Sequence, residues 1–351
     1  MTMSRPYVLF RRLAFAAACL ALIVIVLGAW VRLSAAGLGC PDWPGCYGHL
    51  TAQGAAQNVD AIQTAFPERP FEYAKAHKEM VHRYFASALG FLILVLAGIA
   101  LANRNDPEQP VALPIALVAL VIFQGLLGMW TVTLLLKPLI VVLHLLGGLS
   151  TLALLTWLAF RPRSQNIRAD ANVPRPQQAL RLRNLAFAGL IVLFLQIALG
   201  GWTSSNYAAL ACPDFPRCQN VWWPEMDHED AFVLWRGLGI DYEGGVLEHP
   251  ARVAIHFTHR LGAIVAALVL GLLSVLALTR GSHSAIRTAG AVLGVLLLVQ
   301  LVLGPMMVVG GLPLSLATAH NAMAALLVIA SICLTKACVL EARTRKQRDS
   351  G

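Results

Sequence analysis

Apolar residues along this chain fall into eight blocks, at roughly 12–33, 81–102, 111–133, 138–160, 184–205, 251–279, 287–309 and 314–338. Most are separated by short polar stretches; two long polar stretches, about 34–78 and 206–250, interrupt the pattern. Each block is about the 20 residues or more that an α-helix needs to cross a bilayer core. The pattern predicts an all-α integral membrane protein with eight transmembrane helices. The start, Met1 to about Ala29, has the arginine-then-apolar order of a signal peptide. Its apolar run is long for a signal core, and its end has a counterpart near residue 200, so a retained helix is expected.

A duplication organises the chain. Gly28-Ala29-Trp30 and Cys40-Pro41-Asp42-Trp43-Pro44-Gly45-Cys46 return as Gly200-Gly201-Trp202 and Cys212-Pro213-Asp214-Phe215-Pro216-Arg217-Cys218, each position shifted by 172. His82-Arg83 returns as His259-Arg260, shifted by 177. Gln124…Gly128 and His144 return as Gln300…Gly304 and His320, shifted by 176. The expected organisation is two tandem pseudo-symmetric four-helix bundles, residues 1–160 and 184–351, joined by a cytoplasmic linker over 161–183. An even number of helices per half gives both halves one orientation, the parallel type of membrane repeat.

Composition agrees: 58% of residues are hydrophobic and 13% charged, against about 25% charged in soluble domains. The net charge of +9 first suggests nucleic acid, but its distribution does not. With the N-terminus inside, 17 of the 27 Lys and Arg residues but only five of the 18 acidic ones fall on the inner side. That is the positive-inside pattern of a plasma-membrane protein with both termini in the cytoplasm.

Ionisable groups at membrane depth are costly and mark function. Four of the ten histidines occupy repeat-matched positions in the apolar segments: His82, His144, His259 and His320. With alternating helix direction, all four lie toward the outer side. Each half offers two imidazoles on different helices at similar depth, a set suited to axial ligation of a porphyrin iron. Core histidines satisfied by their neighbours are the plainer alternative. His256-x-x-His259 offers two zinc ligands without an evident third. Glu79-x-x-His82 occurs once, where a di-iron carboxylate site needs it twice. Gly147-Gly148 and Gly310-Gly311, beside His144 and His320, would let a flat ligand or another helix approach.

Cys40, Cys46, Cys212 and Cys218 lie in the two outer stretches, where disulfides persist. A bond within each pair is expected; cross-pairing, a metal site or a redox pair remain open. Cys19, Cys333 and Cys338 read as reduced small hydrophobes.

The Glu79-x-x-His82-Arg83 stretch, the paired histidines in two four-helix halves, the Gln-x-x-x-Gly elements and the Cys-Pro-Asp motifs together resemble the heme A synthase family over residues 12–338. The resemblance implies oxidation of the C8 methyl of heme O to a formyl group, giving heme A for terminal oxidases in a bacterial inner membrane. It implies His259 and His320 as ligands of a heme b cofactor, His82 and His144 around the substrate heme O, and Glu79 as the reactive carboxylate. Arg83 and Arg260 are candidate propionate contacts. Implied partners are membrane lipid, a heme O-producing farnesyltransferase and an electron donor, with no nucleic acid; homo-oligomerisation is left open. Two rivals share parts of the pattern: a diheme b-type cytochrome and a heme-handling transporter. A transporter should show helices broken at midplane, for which Pro305 is the clearest candidate.

Overall fold

In a computed structural model, residues 5–160, 176–282 and 284–349 are described. In chain order the helices are α1 (Arg5–Leu33), α2 (Ala52–Ala56), α3 (Val59–Ala65), α4 (Tyr73–Ala102), α5 (Ala112–Thr133), α6 (Pro138–Ala159), α7 (Pro176–Ser205), α8 (His228–Ala231), α9 (His249–Arg280), α10 (Ser284–Val309) and α11 (Leu314–Asp349). Eight of them are long and apolar enough to cross a membrane, and no β-strand forms among the described residues. Most of the expected linker lies outside the described residues. From Pro176 onward it is already helix, so the polar segment 176–183 extends α7 beyond its apolar block.

The tight connections follow from local chemistry. Pro138 opens α6 at the first turn, where its missing N–H costs nothing. Before it, Leu135 and Leu136 take left-handed φ of 51° and 59°, and Leu136 N–H closes back on the Thr131 carbonyl at 2.8 Å. Gly311, at φ 73°, turns the chain between α10 and α11. Pro305 sits inside α10 without ending it.

Helix neighbours form two rings. In the first, α1 and α5 each pack on both α4 and α6; in the second, α7 and α10 each pack on both α9 and α11. The diagonal partners, α4 with α6 and α9 with α11, make no backbone approach among the described residues. The rings join where α11 packs on α1 and α6, and α6 on α7. One continuous apolar core runs through all eight long helices, with Phe10, Leu96, Leu117, Leu152, Leu193, Leu270, Leu293 and Leu334 among its members. Outward, large apolar side chains such as Phe91, Leu268 and Leu298 are exposed, the surface a lipid environment covers.

The outer loops close over this frame. Arg69 of the first loop pairs with Asp241 (2.6 Å) and Glu243 (3.0 Å) of the second. Lys137, 2% exposed, donates to the Gly237 carbonyl and lies 3.6 Å over the Trp235 ring. Tyr242 N–H reaches the Leu135 carbonyl at 3.1 Å.

Candidate functional site

Helix α4 starts at Tyr73, well before the apolar block at 81. Polar residues 73–79 therefore form an extra two turns, and Glu79 and His82 share a face within the helix rather than at its mouth. Glu79 is 5% exposed. Its Oε2 accepts the Cys40 N–H at 2.9 Å, and its Oε1 meets Arg83 Nη2 at 2.5 Å. Arg83 Nη1 donates to the carbonyls of Asp42 (3.0 Å), Pro44 (3.3 Å) and Gly45 (2.5 Å). The loop it holds is closed by the Cys40–Cys46 disulfide. Within it, Asp42 accepts the N–H groups of Tyr47 (2.5 Å) and Gly48 (2.7 Å).

The second loop repeats these contacts around a different residue. Cys212 and Cys218 are bonded, so the expected pairing within each motif is what the structure shows. Cys212 N–H points to His256 Nδ1 at 3.3 Å, and Arg260 Nε lies 3.2 Å from His256 Nε2. Arg260 also donates to the carbonyls of Arg217 (2.9 Å), Cys212 (2.8 Å) and Asp214 (2.9 Å). His256 thus stands where Glu79 stands. Burial raises the Asp214 carboxyl's pKa, but the N–H bonds of Asn220 (2.9 Å) and Gln219 (2.6 Å), with Arg260 nearby, outweigh it and hold the pKa below the usual carboxylate value. Both arginines, singled out for propionates, are occupied in bracing loop carbonyls.

The four histidines stand in two pairs, each pair on diagonal helices of one ring. His82 on α4 and His144 on α6 are near enough to interact electrostatically, as are His259 on α9 and His320 on α11. A glycine from a neighbouring helix seats each ring. A Cβ on Gly28 would fall 2.9 Å from His82 Cε1, and one on Gly200 would fall 3.0 Å from His259 Cε1. A Cβ on Gly128 or Gly304 would lie 3.5 or 3.6 Å from Cε1 of His144 or His320. The glycines flagged beside the histidines do other work. Gly147 makes room for the Gln124 side chain, and Gly310-Gly311 belong to the α10–α11 turn.

Among the described residues no group of three or more His, Cys, Asp or Glu side chains could hold a bare metal ion. A porphyrin iron needs less from the protein: one imidazole nitrogen on each face. His82 and His320 each bury an Nδ1 without a hydrogen-bond partner. Paired imidazoles, across diagonals where the helices do not meet, fit that group.

Sequence reading missed Gln196 and Gly262. Gln196 of α7 lies 3.0 Å from both His259 Nδ1 and the His259 carbonyl, and its amide fills the space beside Gly262. A glutamine in an apolar block four residues before the repeat-matched Gly200 was the available signal. Of the tryptophans, Trp202 donates to the Ala231 carbonyl at 2.9 Å, holding α8, and Trp30 lies under Lys78.

Residues 11–332 match the COX15-CtaA family, described as cytochrome oxidase assembly protein. A heme A synthase of Shewanella oneidensis is 45% identical over 309 residues, 88% of this chain and 90% of that protein. Heme A synthases of Alkalihalophilus pseudofirmus and Halalkalibacterium halodurans are each 28% identical, over 79% and 91% of this chain and 80% and 91% of their own lengths.

Proposed function

This chain belongs to the COX15-CtaA family of cytochrome oxidase assembly proteins, and we propose that it acts as a heme A synthase, an oxidoreductase that converts the C8 methyl of heme O to a formyl group. The observation that carries the reading is the difference inside two matched brackets. Glu79 presents a carboxylate beside His82, whereas His256 occupies the same bracket beside His259. A protein that only passed electrons between two hemes would gain nothing from a carboxylate on one side.

In this proposal residues 1–160 hold the substrate heme O between His82 and His144, and residues 184–351 hold heme b between His259 and His320. When bound, heme b supplies a one-electron relay, which suits a fully ligated iron. The chain's own groups do the rest. His82 and His144 would hold the porphyrin, with Glu79 one turn from His82 on the same helix face. Glu79 accepts a proton or balances positive charge as the methyl is oxidised, a task worth a factor of about 10²–10⁴ in rate for a positioned acid–base group. The apolar ring around it excludes bulk water. Arg83 and Arg260 hold the outer loops first; a propionate would reach them only by sharing those donors. Membrane lipid covers the apolar exterior, with the termini in the cytoplasm and the heme sites toward the outer side of a bacterial inner membrane. A farnesyltransferase making heme O and an electron donor are the proposed partners; the four-electron oxidation of the methyl also takes an external oxidant that supplies the oxygen atom, such as dioxygen reduced with that donor's electrons.

Expression in a host that makes heme O but no heme A tests the proposal. Chromatography of extracted hemes should show a heme A peak. Its absence, from a folded and heme-loaded protein, overturns it.

A further inference from the structure

Each half contains one histidine held differently from its partner. On α6, His144-Leu145-Leu146-Gly147 presents an imidazole with a glycine one turn on; on α9, His259-Arg260-Leu261-Gly262 does the same. In both, a glutamine from the adjacent helix lies in the space the glycine leaves. With its nitrogen toward the ring, the Gln124 amide reaches His144 Nδ1 at 2.8 Å and the His144 carbonyl at 3.2 Å, and its oxygen accepts the Gly148 N–H at 2.9 Å. Gln196 grips Nδ1 and the carbonyl of His259 in the same way, each at 3.0 Å. One amide thus ties an imidazole to its own backbone, fixing the ring plane. In both, the glutamine meets the ring at Nδ1 rather than at Nε2.

The other two histidines lack this grip. The repeat puts Val24 where Gln196 stands and Phe85 where Gly262 stands. His82 accordingly has no side-chain grip, and its ring approaches the Val24 backbone instead. His320 has Met323 in place of Gly147; Gln300 meets its Nε2 at 3.2 Å but does not reach its backbone, and its Nδ1 is orphaned. The two grips are not repeat-related: one is on the last helix of its ring, the other on the second.

We propose that Gln124 with Gly147, and Gln196 with Gly262, are positioning devices that make His144 and His259 the anchored axial ligands, leaving His82 and His320 as the exchangeable ones. This rests on the heme-binding reading above and deepens it. Partners of a ligating imidazole set its orientation, and their loss typically costs 10–100-fold in affinity. At the substrate site the exchangeable ligand is His82, which shares a helix face with Glu79. Release of that histidine would free space on the side of the helix that carries the carboxylate.

The test separates action through His144 from general loosening. Full-length protein in detergent is loaded with hemin, and heme loss to excess apomyoglobin is timed for the first site in a background that lacks both second-site histidines (His259→Ala with His320→Ala). With His144 as sole first-site ligand (His82→Ala), Gln124→Met should speed heme loss by about tenfold. Gly147→Ala, which evicts the amide without removing it, should do the same. With His82 as sole ligand (His144→Ala), the same two changes should alter the rate less than about twofold. Equal acceleration in both backgrounds, or none in the first, overturns the proposal. A wild-type protein that takes up no heme with a low-spin bis-imidazole spectrum would instead overturn the heme-binding reading itself.

Discussion

Glu79 and His256 occupy equivalent brackets, each between the N–H of a disulfide-loop cysteine and an arginine four residues on. A carboxylate satisfies such a bracket fully, since both oxygens accept. A neutral imidazole carries one N–H and one lone pair, so it cannot accept at both nitrogens. The bracket is therefore built for an acid, and the second half keeps the frame without it. Matched scaffolds with one changed residue separate what holds a loop from what does chemistry.

The comparison is broken most directly by Glu79→Gln. Gln retains the shape but neither the charge nor the basicity. Heme A yield should fall by at least about 100-fold, while the heme b absorption spectrum stays unchanged. His256→Gln should leave heme A yield within about twofold. A next effect concerns stability. Arg83→Met leaves a buried carboxylate unpaired, which should cost about 3 kcal/mol. Arg260→Met leaves a neutral ring and a few carbonyls, for about 1–2 kcal/mol; chemical denaturation of the purified variants compares the two. Removing either disulfide as a Cys→Ala pair should cost about 2 kcal/mol in both loops, because both join residues six apart. Only loss of Cys40–Cys46 should also lower heme A yield, since only that loop presents its N–H to Glu79. Smallest is a pH effect in the second loop. Asp214 has a folded pKa below its unfolded one, so its contribution is present above the unfolded value near 4 and is lost as pH falls through the folded value. Asp214→Asn should flatten that acid limb in a thermal-melt series.

Much of the architecture was legible because the membrane writes it in length. Eight apolar blocks became eight long helices, and the doubled cysteine motif became two intra-motif disulfides. The helix ends were less legible. At Tyr73 and Pro176 polar residues continue the helix beyond the apolar block, since a helix does not stop where the apolar pattern does. Which face of an all-apolar helix turns inward leaves little periodic trace, so the glutamine–glycine grips were invisible. The repeat drew attention to Gln124 and Gln300, yet the glutamine gripping His259 is Gln196, which has no counterpart. Gly147 and Gly310 left open whether a flat ligand or another helix comes close, because a missing side chain does not say what fills its place; at Gly147 it is the Gln124 side chain of α5.

One apolar cluster spans both rings. Leu152 and Ala153 of α6, Leu193 of α7 and Leu334 of α11 belong to one cluster, so no oily seam lets the two rings part. Whatever arrives at one ring deforms a body shared with the other. A swollen or empty site would be felt by its twin through these side-chain contacts.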